Sequence, residues 1–117
     1  MIGKEGGRNV ARKKLETLTE QMYYILLSLA GEPRHGYGIM QDVSQRTGGR
    51  VNIGAGTLYA LLARFEEEGL IALTDTREGR KYYLFTGEGR RILRDEYDRL
   101  RRQVADGADA LEKEEFS

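Results

Sequence analysis

The sequence predicts a mainly α-helical chain with a small β-hairpin, a winged helix-turn-helix followed by a C-terminal dimerisation helix. Three observations carry this. Leu58, Leu61, Leu62 and Phe65 recur at the spacing of one helical face, and Gly69 stops that helix and releases Leu70–Leu73 as a strand. A short helical segment and a glycine-rich turn precede it, the spacing of a helix-turn-helix. A long, charged final helix carries a single apolar stripe.

In chain order, Met1–Asn9 holds three glycines and little apolar content and is expected to be disordered. From Val10 to Ala30, Leu15, Leu18, Met22, Ile25 and Leu29 step by three and four, with Tyr23, Leu26 and Leu27 widening the face. Thr19 reads as an N-cap inside this run, which is either one bent helix or two. Gly31-Glu32-Pro33 ends it at the only proline. Arg34–Gly38 reads as a tight connection, Ile39, Met40 and Val43 as a short second helix, and Thr47-Gly48-Gly49 as its close. Arg50–Ile53 leads into the central helix, whose outer face at Gly56, Ala60 and Ala63 is small enough to lie close to a flat partner. Ile71–Thr74 and Lys81–Phe85 alternate as strands around a polar tip containing Gly79. Thr86 is the expected cap of the last helix. There Leu93, Tyr97, Leu100 and Val104 form the stripe, with Ile92 beside it, and Gly107 marks the expected end. The divisions read from this are a basic arm over 1–14, a winged helix-turn-helix over 15–86, a dimerisation helix over 87–106 and an acidic tail over 107–117.

Composition bounds function. The chain of 117 residues is one domain with a modest core. It has no cysteine and one histidine, so disulfides, thiolate chemistry and a histidine-rich metal site are excluded. No serine sits in a nucleophile elbow, and no catalytic residue, metal or cofactor is expected. His35 has no carboxylate or cysteine neighbour and reads as a loop hydrogen-bonder. Gly54-Ala55-Gly56 and Gly87-Glu88-Gly89 lack the strand context and third glycine of a dinucleotide loop. The lack of a signal peptide or long apolar run leads to the expectation of a cytoplasmic protein with no membrane partner. The zero net charge hides two opposed ends: residues 1–14 carry five bases against one acid, and 106–117 five acids against one base.

His35–Ile39 (HGYGI), Gly56–Ile71 (GTLYALLARFEEEGLI) and Gly79–Gly89 (GRKYYLFTGEG), in this order and at these separations, resemble the PadR-like winged-helix transcriptional regulators. The resemblance spans about Leu18 to Val104. It implies that the central helix enters the DNA major groove, that the wing lies along the backbone, and that the first and last helices form a dimer. Ala60 stands where the family pattern often has proline, which leaves this helix straighter. The last helix lacks the tryptophan of some multidrug-binding members, with Leu100 near its place, so stacking of flat drugs is not implied.

The expected function is a DNA-binding regulator, a repressor acting as a homodimer on an inverted repeat of double-stranded DNA. The alternative is a winged helix that serves as a protein-interaction module. Arg80 and Lys81, with Arg77, are candidates for phosphates. Tyr37 and Tyr59 either donate to phosphates or pack as half-buried rings. Asn52 and Thr57 are candidates for base edges, with a cap or turn role as the other reading of Asn52. Arg64 could reach a phosphate or a guanine. Leu15, Leu18, Met22, Leu93, Tyr97, Leu100 and Val104 are expected at the dimer seam. A small aromatic effector between the subunits would meet Tyr23, Tyr97 and Leu100; the other reading is that these tyrosines only fill the interface.

Overall fold

A computed structural model describes residues 17–115. Helix α1 (Glu20–Ser28) is capped by Thr19, whose side-chain oxygen accepts from Met22 N at 3.2 Å. Leu15 and the basic arm over 1–14 lie outside the described residues. Strand β1 (Arg34–His35) leads straight into α2 (Gly36–Arg46), and α3 (Ala55–Glu67) follows an extended entry. The hairpin is β2 (Ile71–Arg77) and β3 (Arg80–Phe85), and α4 (Gly87–Glu115) closes the chain.

Met22, Ile25, Leu26, Ile39, Val43, Leu58, Leu62 and Phe65 bring three helices onto one core, which Ile71, Tyr83 and Phe85 extend to the base of the wing. Arg34 locks the turn between α1 and α2. Its Nε donates to Ser28 O at 2.6 Å, and its guanidinium lies 3.4 Å from Asp42. At the end of α3, Gly69 takes φ +80°, Gly69 N donates to Glu66 O and Leu70 N to Phe65 O. This paired closure needs the left-handed residue that the sequence supplies there.

The sheet is three-stranded and antiparallel in the order β1-β3-β2, so Arg34–His35 is a strand and not only a connection. Arg34 stands opposite Tyr83 and His35 opposite Tyr82. This pairing ties the helix-turn-helix to the wing. An irregularity between Leu73 and Asp75 shifts the β2–β3 register, as a bulge at Thr74 does. From Leu73 outward β2 is exposed, so only Ile71 of the expected alternating pair is core. Glu78 and Gly79 form the two-residue tip with φ of 52° and 79°, the sign pattern that matches the twist of paired strands.

Thr86 caps α4: Gly89 N donates to its Oγ1 at 3.0 Å, and that hydroxyl donates to Gly69 O at 2.6 Å. Gly89 is buried, and a Cβ there would come within 2.9 Å of the Leu70 carbonyl carbon. The helix then passes through Gly107 to Glu115, which corrects the expected end at Gly107. One internal glycine costs about 1 kcal/mol. Ala108, Ala110, Leu111 and the Glu112–Glu115 run favour helix, and the Lys113–Asp109 pair at 3.3 Å adds to it.

Candidate nucleic-acid interface

The start of α2, the outer face of α3 and strand β3 of the wing from its tip to Tyr83 converge on a cleft of about 390 Å³. His35, Tyr37, Tyr59, Arg80, Lys81 and Tyr83 line it, so four of the seven residues expected to meet DNA come together. Tyr59 rests on Gly36, where a Cβ would come within 2.7 Å of its Cζ. Tyr37 and Tyr59 both stay about half exposed, at 55% and 51%. Burial raises the phenol of Tyr83 above its ordinary 10.0, with Glu66 and Tyr59 adding to the shift.

The outward residues of α3 ahead of Arg64, Gly56, Thr57, Tyr59, Ala60 and Ala63, are exposed and uncharged. The acids Glu66, Glu67 and Glu68 sit at its other end, where they do not repel an anion lying over the N-terminal turns. Arg64 is half-buried in the last turn. Asn52 is exposed, but its amide donates to Gly49 O at 2.8 Å, which is the turn role of its two readings.

The three wing cations are not equivalent. Arg77 is bound to Asp75 at 2.7 Å and lies 4.7 Å over the Tyr82 ring. That bond, with the Thr76 backbone, holds the Asp75 carboxyl below its ordinary range. Arg80 and Lys81 have no acidic partner among the described residues. Arg80 Nη1 instead stands 3.1 Å from His35 Nε2. Sequence reasoning leaves His35 out of this face; its one cue is adjacency to Gly36-Tyr37, because the β1–β3 pairing that brings it to the wing has no local signature.

A second cleft, of about 420 Å³, lies between α1 and α4 and is lined by Tyr23, Leu27, Phe85, Arg90, Leu93, Arg94 and Tyr97. Tyr23 and Tyr97 both line it, and Leu100 lines a further cleft that Tyr23 also borders, with Leu18, Tyr24 and Glu96. Leu18 and Met22, expected at the dimer seam, are buried in the chain's own core. Leu93 and Leu100 are half-buried. The open apolar positions of α4 are Tyr97, Val104 and Leu111, seven residues apart. Glu96, which sequence reasoning missed, is buried on the same stripe, and Arg99 Nε donates to it at 3.0 Å. Its place at i+3 from Leu93 is the signal that could have found it.

No group of carboxylates, histidines or cysteines suited to a metal occurs among the described residues, and no helix among them is long and apolar enough to cross a membrane.

This is the architecture of a winged helix-turn-helix regulator. The sequence profile of the transcriptional regulator PadR-like family matches residues 25–95, and the chain belongs to that family. Its members are transcription regulators and not enzymes. A protein X of Lysinibacillus sphaericus is 37% identical over 73 residues, covering 59% of this chain and 67% of that protein. A 37.1 kDa protein of transposon TN4556 in Streptomyces fradiae is 35% identical over 69 residues, and this chain spans 19% of its length. A PadR family transcription regulator from Clostridium difficile superposes with a TM-score of 0.64 at 25% identity, over 77% of this chain and 95% of that one. Bacillus subtilis PadR in complex with operator DNA superposes with a TM-score of 0.59 at 26% identity, over 65% of this chain and 45% of that one.

Proposed function

We propose that the chain is a sequence-specific DNA-binding regulator that occupies an inverted-repeat operator as a homodimer and acts as a repressor. The observation that carries this is the single face on which uncharged, small-surfaced turns of α3 adjoin the unpaired cations of the wing. The first suits a base-lined groove, and Arg80 and Lys81 suit the phosphates flanking it. Bacillus subtilis PadR, similar in structure, is solved with operator DNA. A dimer on the heptad-spaced positions of α4 presents two recognition helices, roughly 34–36 Å apart or a multiple of that. A dimer seated on a promoter excludes other proteins from it, which is the basis of the repressor reading. Activity of this kind belongs with the chromosome in the cytoplasm.

The cleft between α1 and α4 is the proposed effector site. Tyr23 and Tyr97 offer rings and hydroxyls above apolar Leu27 and Leu93, which suits a small aromatic molecule. Such a molecule changes operator affinity only through unequal affinity for two arrangements of the dimer.

Selection of bound duplexes from a random pool tests the main reading, with enrichment of an inverted repeat as the expected result. No enrichment above input would sink it and favour a protein-interaction module. On the enriched duplex, Thr57→Ala should change which base is preferred at one position per half-site, by roughly 1–3 kcal/mol.

A further inference from the structure

His35 and Arg80 come from opposite parts of the fold and meet in an arrangement that neither can satisfy alone. His35 Nδ1 accepts the Gly38 backbone N–H at 3.0 Å and so caps α2. A nitrogen that accepts carries the lone pair, so the neutral ring bears its hydrogen on Nε2. That Nε2–H faces Arg80 Nη1 at 3.1 Å, and a guanidinium has donors and no acceptor. The other tautomer only moves the conflict, setting Nδ1–H against the Gly38 N–H and costing α2 its cap. The ring cannot easily turn away. Its backbone is paired opposite Tyr82 in the sheet, and its ring packs edge to face on Tyr82 with the two ring centres 5.1 Å apart.

We propose that the His35 Nε2–H and the Arg80 guanidinium form a two-donor clamp for one phosphodiester of the DNA backbone. A phosphate oxygen between them accepts from both and resolves the conflict, and the second non-bridging oxygen is left for the Tyr59 hydroxyl or Lys81 of the same cleft. No acidic residue lines that cleft. The clamp spans the junction of the helix-turn-helix and the wing, so closing on a phosphate fixes one against the other. The shared chemistry is a phosphate oxygen. The choice of a backbone phosphodiester rests on the DNA-binding reading above, because the cleft lies between the recognition helix and the wing.

The chain has one histidine, so the imidazole region of a nitrogen–proton correlation spectrum of the full chain reports His35 alone. The free protein should show the Nε2–H tautomer; the Nδ1–H tautomer would overturn the proposal. Inorganic phosphate, compared with chloride at equal ionic strength, should shift the ring signals in the wild type and not in Arg80→Ala. No phosphate-specific shift would also overturn it. On the selected duplex, His35→Asn keeps a side-chain oxygen for Gly38 N and loses the Nε2 donor. Binding should weaken roughly tenfold for all sequences alike, from loss of one hydrogen bond to a charged group. A neutral donor releases no counterion, so its salt slope should match the wild type. Arg80→Ala should lower the slope by roughly one unit for each phosphate that the guanidinium no longer neutralises. The two losses should be less than additive, because the groups share one oxyanion. His35→Asn that binds duplex like the wild type, with the phosphate shift intact, would leave a site for free phosphate and overturn the backbone assignment. A wild type that binds no duplex yet shows the phosphate shift would instead sink the DNA reading and leave the clamp standing.

Discussion

The ring of Tyr59 on α3 lies directly on Gly36 at the start of α2, so close that no side chain fits beneath it. Gly36 is not in the left-handed region, and space is therefore what demands glycine there. Gly36→Ala should cost about 1–3 kcal/mol by overpacking and swing Tyr59 out of the cleft, weakening duplex binding. Adding Tyr59→Ser should restore the urea midpoint without restoring affinity. Recovery of both would show that Tyr59 only packs.

The wing tip holds a second constraint. Glu78 occupies the left-handed region, which suits asparagine or glycine far better than glutamate. Glu78→Asn should stabilise the fold by about 0.5–1 kcal/mol, read as a higher urea midpoint at unchanged m-value. It also removes an acid two residues from Arg80, so duplex affinity should rise and the gain should shrink with salt.

Leu93 and Leu100 are half-buried within the chain, so charges there would damage the fold as well as any dimer. Val104 and Leu111 are 70% and 62% exposed and give a cleaner test. Val104→Asp with Leu111→Asp should leave the melting of the winged-helix core intact and halve the mass seen by light scattering. Helical signal should fall too, because the turns beyond Gly107 have no core of their own to rest on. A wild type that is already monomeric at micromolar concentration would refute the dimer.

Tyr23 and Tyr83 make stability fall in alkali. Burial is the main cause of the raised phenol of each, followed for Tyr23 by Tyr24, Tyr97 and Glu96, and for Tyr83 by Glu66 and Tyr59. The unfolded chain releases these protons near 10.0 and the folded chain holds them longer. Their contribution is therefore intact below pH 10.0 and is lost as pH rises through the higher folded values. Tyr83→Phe should flatten that decline and remove a late step from the phenolate absorbance titration; an unchanged titration would show that Tyr83 is not the late group.

Local chemistry was the legible part of this chain. Thr19, Gly69 and Thr86 end or begin helices through bonds within a few residues, and the hairpin tip is a two-residue matter. Such signals need no knowledge of the rest of the fold. Strand β1 was hidden because two residues carry no period of their own, and their pairing is set by β3, 45 residues away from His35 at Arg80. The buried Glu96 was hidden for a different reason. Its place at i+3 from Leu93 sets it on the covered side while Asp95 beside it is exposed, but a carboxylate there reads as surface until the packing of α1 against α4 is known. Leu18 and Met22 mark another boundary: an apolar step of four says that a face is covered, and not by which chain.

The hydroxyl of Thr86 is the last bond of the recognition unit and the first bond of α4 at once, and Gly89 presses the two backbones together behind it. The junction therefore behaves as a welded elbow and not as a hinge. A tilt of α4 cannot be absorbed there and passes to α3 as the same angle, magnified into displacement by the length of the arm. In a dimer joined through α4, the distance between the two reading heads becomes a gauge of the angle at which the long helices cross.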